Sequence, residues 1–103
     1  MEGLQYKFTL TAAPVEAEGT IGGHPFYFRA RHERWTFSVS EDADVDPVDI
    51  DSPEEGAAHG FFAAEKYGRS KSSAASYMPL DEAERIIERC AESYLHAKSE
   101  REI

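Results

Sequence analysis

The sequence predicts a single α+β domain, a four-stranded antiparallel meander sheet packed on one face by a C-terminal α-helix. Two observations carry that prediction. Residues 4–40 alternate polar with apolar side chains at period 2, and residues 79–98 switch to the period of a helix. At 103 residues the chain has the length of one domain, here 1–103. A chain of that size buries roughly 65% of its unfolded surface and needs no disulfide or metal to hold it.

The strands are expected at about residues 4–11, 15–21, 25–31 and 34–40. Leu4, Tyr6, Phe8 and Leu10 share one face of the first, and Val15, Ala17, Gly19 and Ile21 one face of the second. Gly22-Gly23 marks a tight turn, because glycine reaches positive φ without steric cost. Phe26, Phe28 and Ala30 continue the apolar face in the third strand, and Trp35, Phe37 and Val39 in the fourth. Directly opposed residues must share a face, and pairing Leu10 with Val15, Ile21 with Phe26 and Ala30 with Trp35 satisfies that condition in all three hairpins. On the polar face these registers set Glu18 between Lys7 and Arg29, and Glu16 opposite Arg31. Small residues Ala17, Gly19 and Ala30 leave a trough for a helix.

That helix spans 79–98, with Leu80, Ala83, Ile86, Ile87, Cys90, Tyr94 and Leu95 along its buried side. Pro79 suits its first position, and Asp81 with Glu84 forms a competing capping-box pattern. The residues after 98 are expected to fray. Residues 41–78 form an acidic and linking segment, in which 74–78 has the composition of a short fifth strand.

Charge is concentrated in that segment. The chain carries 20 acids against 11 Lys and Arg, a net charge of −9. Glu41, Asp42, Asp44, Asp46, Asp49, Asp51, Glu54 and Glu55 lie together without a base, and the rest of the chain is nearly neutral. These eight are the candidate partner-binding residues. A net anion is repelled by nucleic acid and by anionic lipid, so neither direct nucleic-acid binding nor membrane binding is expected. Arg29, Arg31 and Arg34, with Tyr27, form a small basic cluster that Glu16 and Glu18 are expected to neutralise.

Other constellations carry less. The Asp42-x-Asp44-x-Asp46 run fails the calcium-loop pattern, because Pro47 falls at its glycine position and Pro53 at its bidentate glutamate. His24, His32, His59 and His96 lack zinc-ligand spacing, so no metal or cofactor is expected. Cys90, the single cysteine, reads as a small core hydrophobe. It excludes an intramolecular disulfide and fits a reducing compartment. With no signal-peptide apolar stretch at the N-terminus, a cytoplasmic protein is expected. Ser70, Ser72, Ser73 and Ser76 near Arg69 and Lys71 read as a flexible connection, since no glycine-rich phosphate loop accompanies them.

No nucleophile-and-base pattern occurs, so the expectation is a non-enzymatic protein whose acidic segment meets a basic protein partner. In size and charge the chain resembles the small acidic inhibitors of phages and mobile elements, including anti-CRISPR proteins. That resemblance implies occupation of the basic nucleic-acid site of a defence complex. One extended row of carboxylates, about 6.6 Å apart, is sparser than the phosphates of a DNA strand. Mimicry therefore needs a second row, from Glu54 and Glu55 or from Glu82, Glu84 and Glu88. Two other readings stay open: a docking or oligomerisation domain, and a small ligand-binding or enzymatic domain with a pocket lined by His59, Phe61, Phe62 and Tyr67.

Overall fold

The computed structural model describes residues 1–69 and 73–101. The four period-2 segments form β1 (Leu4–Thr11), β2 (Val15–Ile21), β3 (His24–Arg31) and β4 (Arg34–Ser40). A fifth strand, β5 (Gly60–Lys66), extends the sheet in the order β1-β2-β3-β4-β5, with every neighbour antiparallel. The expected sheet of four is therefore one strand short. Phe61 and Phe62 are adjacent, so they lie on opposite faces of β5, and neither is fully exposed. With apolar residues toward both faces, the period-2 signal disappears. The strand expected at 74–78 is instead a 3-10 turn, Ala74–Tyr77.

One face of the sheet is the core. Ala17, Phe28, Ala30, Trp35, Phe37 and Val39 are buried there beneath α2 (Leu80–Arg101), which contributes Ala83, Ile86, Ile87, Cys90, Ala91 and Tyr94. Phe28 and Phe37 stand directly opposite each other on this face, as the apolar pattern requires. The trough holds for Ala17 and Ala30, whereas a side chain at Gly19 would strike Tyr6 Cα at 2.6 Å, so Gly19 makes room for β1. Pro79 C=O accepts from the Ala83 N–H, which starts the helix at Leu80 and leaves the Asp81 capping pattern unused. The helix continues through the residues expected to fray as far as Arg101.

Two of the three hairpin registers differ from expectation. Ala30 pairs with Trp35 as expected. In β1–β2 the pairs Phe8–Ala17 and Tyr6–Gly19 hold, but an irregularity between Phe8 and Leu10 brings Leu10 opposite Glu16, and Leu10 is 45% exposed. In β2–β3, Gly22 and Gly23 are both turn residues (φ 57° and 85°), so Ile21 pairs with His24 rather than Phe26. The strand has slipped by two residues. An even slip keeps every side chain on its face but changes its partner. Glu16 thus faces Arg29, Glu18 faces Tyr27, and Arg31 lies beyond the end of this ladder.

The opposite face is covered in part by the segment after β4. Ser38 and Ser40 point outward yet are buried, at 2% and 1% exposure. Ser38 donates its hydroxyl to Pro47 C=O at 2.6 Å. Ser40 Oγ shares its single proton between Val45 O at 2.6 Å and Asp42 O at 2.9 Å. Next comes α1 (Pro53–His59), for which Ser52 accepts from the Glu55 N–H and Pro53 fills the first turn. It lies against β5 so closely that a Cβ on Gly56 would stand 2.7 Å from Phe62 Cβ.

Candidate functional site: an acid-lined groove on the outer face

The acidic segment is built by its own side chains. Asp42 Oδ1 accepts from the Asp44 N–H at 2.9 Å, and Asp46 Oδ1 accepts from the Val48 N–H at 3.0 Å. Such aspartate turns satisfy backbone donors that no sheet ladder reaches. The Asp46 turn opens a 3-10 turn over Pro47–Asp49, and Ile50, 2% exposed, anchors its far end. The segment is an ordered path over the outer face of β3 and β4.

The eight candidate carboxylates divide into two groups. Glu41 accepts from the Tyr94 hydroxyl at 2.5 Å and from both terminal nitrogens of Arg101. The Arg101 guanidinium and the Tyr94 hydroxyl hold its pKa below the ordinary carboxylate value, against the opposing effect of burial. Asp42 Oδ2 lies 3.2 Å from His59 Nδ1, and Glu55 lies 3.7 Å from His59 Nε2. Asp44, Asp46, Asp49, Asp51 and Glu54 are exposed and form no ion pair among the described residues. Glu41 ties the segment to α2 and Asp42 ties it to α1, Glu55 pairs within α1, and the second group is exposed.

Between the segment and the β2–β3 hairpin runs a groove of about 810 Å³. Its walls carry Glu18, Glu41, Asp42, Asp44 and Asp46, with Tyr27 and Val48 supplying part of the apolar surface, and no Lys or Arg lines it. Tyr27 is fixed by donating its hydroxyl to Glu16 at 2.7 Å. Burial, first, and the Glu16 carboxylate, second, push the phenol pKa up and keep it neutral. Glu18 belongs to this wall, although it is not among the eight acids of the sequence run. Its signal was the β2–β3 register, which places Glu18 beside Tyr27.

The four residues that would have lined a pocket between sheet and linking region are dispersed. Phe61 packs in the core, with ring centroids 6.2 Å from Phe37 and 5.6 Å from Tyr94. Phe62 is under α1, the Tyr67 hydroxyl donates to Glu82, and His59 faces Asp42. Nor do Glu82, Glu84 and Glu88 supply a second row of carboxylates, because α2 lies across the sheet from the acidic segment. Only Glu54 and Glu55, on α1, remain for that role. Among the described residues no group of three His, Cys, Asp or Glu could hold a metal ion, and no helix is long and apolar enough to cross a membrane. Of the serine-rich connection, Ser70, Lys71 and Ser72 lie outside the described residues, while Ser76 accepts from the His32 N–H at 2.8 Å. No known protein family, curated protein or solved structure matches the chain.

Proposed function

We propose that this is a non-enzymatic binding protein that receives a basic segment of a protein partner in the groove between residues 42–48 and the β2–β3 hairpin. The observation that carries the reading is the lining: five carboxylates, apolar surface that includes Tyr27 and Val48, and no Lys or Arg. A lysine or arginine suits such a groove at both ends, since its methylene stem lies against Tyr27 and Val48 while its charged head meets a carboxylate. The turns that hold the segment are formed before any partner arrives, so little ordering entropy opposes binding. Surfaces rich in Lys and Arg commonly serve nucleic acid, and a protein seated on one would exclude it.

The test uses an eight-residue peptide of alternating lysine and glycine, titrated into the wild type and into D44N/D46N/D49N/D51N. Asparagine keeps the size and turn-forming capacity of aspartate, so circular dichroism should be unchanged. Wild-type affinity should fall as salt rises, because screening weakens the attraction, and the variant, in which two of the groove's five carboxylates are neutralised, should bind more weakly and with a smaller salt dependence. Equal affinity in a folded variant would remove the acidic segment from the mechanism.

A further inference from the structure

The outer face has a second groove, of opposite charge, on the other side of residues 47–51. Arg29 and Arg31 project from β3 and Arg34 from β4 on the face away from the core. The two-residue turn His32-Glu33 sets Arg31 directly opposite Arg34, and the β4–β5 register sets Lys66 opposite Arg34 on its other side. Neighbouring strands are about 4.8 Å apart, so three cations stand in a row across about 10 Å. Like charges in direct opposition destabilise a sheet.

No ion pair among the described residues neutralises that row, although Glu33 and Asp51 line the same groove. The two-residue slip of β2 against β3 removes Glu16 from Arg31, and Glu16 is engaged by Tyr27 instead. None of Arg29, Arg31, Arg34 and Lys66 forms an ion pair among the described residues, and Arg29 Nε is buried without an acceptor. The turn that creates the row is itself held in an unfavourable shape. His32 has φ 58°, its N–H donates to Ser76 Oγ at 2.8 Å, and its C=O accepts from the Ala75 N–H at 3.0 Å. Opposed cations, an orphaned guanidinium donor and a pinned left-handed residue occur together in one place. Such strain, maintained by surrounding bonds, clusters at binding sites.

We propose that this groove, of about 450 Å³, binds the phosphate group of a small phosphorylated molecule. Charge selects the ligand. Arg29, Arg31 and Arg34 against Glu33 and Asp51 leave one positive charge in the lining, and the neighbouring Lys66 raises it to two. A phosphomonoester carries about −1.5 to −2 at neutral pH and three acceptor oxygens. It matches that charge, and guanidinium forks bind phosphate oxygens in pairs. A lone carboxylate supplies half the charge. A nucleic-acid strand matches locally, but its further phosphates would meet a protein whose net charge is −9. Tyr27, His32, Thr36, Val48 and Ile50 complete the walls, and the volume accommodates a sugar or ring attached to the phosphate.

The experiment compares wild type with R31Q/R34Q in inorganic phosphate, AMP, adenosine and a 20-nucleotide oligothymidine, each against chloride at matched ionic strength. With a dissociation constant of about 1 mM, 10 mM phosphate or AMP raises the wild-type melting midpoint by roughly 5–10 °C, while adenosine does not. The double variant melts no lower than wild type, since a like-charge pair is gone, and its midpoint is indifferent to phosphate. Amide resonances of residues 27–36 in the wild type move on AMP addition while those of α2 do not, a readout that holds even if the variant fails to fold. The proposal is overturned by an unmoved wild-type midpoint, or by a shift retained in the folded variant. Tighter binding of the oligothymidine than of AMP would assign the groove to nucleic acid instead. A wild-type dimer that R31Q/R34Q dissociates would assign it to the acidic segment of a second copy.

Discussion

Tyr94 donates its phenolic hydrogen to Glu41 Oε2 at 2.5 Å, joining the buried side of α2 to the first residue of the acidic segment. Arg101, in the last turn of the helix, reaches the same carboxylate at 3.0 and 3.2 Å. The helix that fills the core therefore also fixes where the outer-face segment begins.

Glu41→Gln should reduce stability at pH 7 by about 1–2 kcal/mol, the scale of hydrogen bonds to a charged group less what the amide can still accept. The Glu41 pKa is lowered in the folded protein, chiefly by Arg101. Its contribution is thus fully present above the unfolded value, near 4.5, and is lost as pH falls through the lower folded value. Urea denaturation from pH 7 to pH 3 checks this: the gap between wild type and variant should narrow below pH 4.5.

Asp46→Ala and Asp46→Asn should separate charge from capping. Alanine removes the acceptor for the Val48 N–H and should cost about 1 kcal/mol, whereas asparagine retains it and should cost a few tenths at most. Paired denaturation curves decide it; equal losses would mean that the charge itself, rather than the turn, sustains the segment.

Gly60→Ala should be among the most damaging single-methyl changes in the chain. Its new Cβ would stand 2.0 Å from Val39 O, a backbone atom of β4 that cannot step aside as a flexible side chain could. Over-packing typically costs about 1–3 kcal/mol, and a contact this short with backbone belongs at the upper end of that range. Thermal unfolding should show a large drop, and a midpoint near wild type would mean that β4 and β5 are not in register at Ser40 and Gly60.

The Cys90 thiol should be inert until the protein unfolds. Burial, the largest influence, pushes its pKa up to about 12, so almost no thiolate exists at pH 8. A disulfide reagent should react at the rate of global unfolding, and rapid labelling of the native protein would place Cys90 outside the core.

Some of this was legible in the residues and some was not, for identifiable reasons. The core face of β1 to β4 and the buried side of α2 follow from period alone, because each apolar position repeats on one face. The register of β2 against β3 does not, since a slip of two leaves that pattern unchanged, and with the slip went the neutralisation expected for Arg31. The turn residues carried the missing signal: Gly22 and Gly23 both accept positive φ, which favours the two-residue loop. The helix α1 was missed in a reading that took residues 41–78 as a linking segment, although Ser52-Pro53-Glu54-Glu55 carries its signal in a cap, a first-turn proline and early acids. The burial of the outward-facing Ser38 and Ser40 was not legible, because their polarity suggested exposure while their hydroxyls serve carbonyls of the acidic segment.

Those two serines have a consequence for motion. β4 is covered on both faces at Ser38 and Ser40, by α2 within and the acidic segment without, so amide protons near its end exchange only when both layers open. Detaching the segment alone would leave Pro47 C=O without its donor and expose Ile50, so the segment's opening free energy is tied to that of the sheet. An acidic surface stretch is ordinarily the first part of a domain to loosen. Here its carboxylates keep the protection of the strand beneath them, and a partner meets them in one arrangement rather than many.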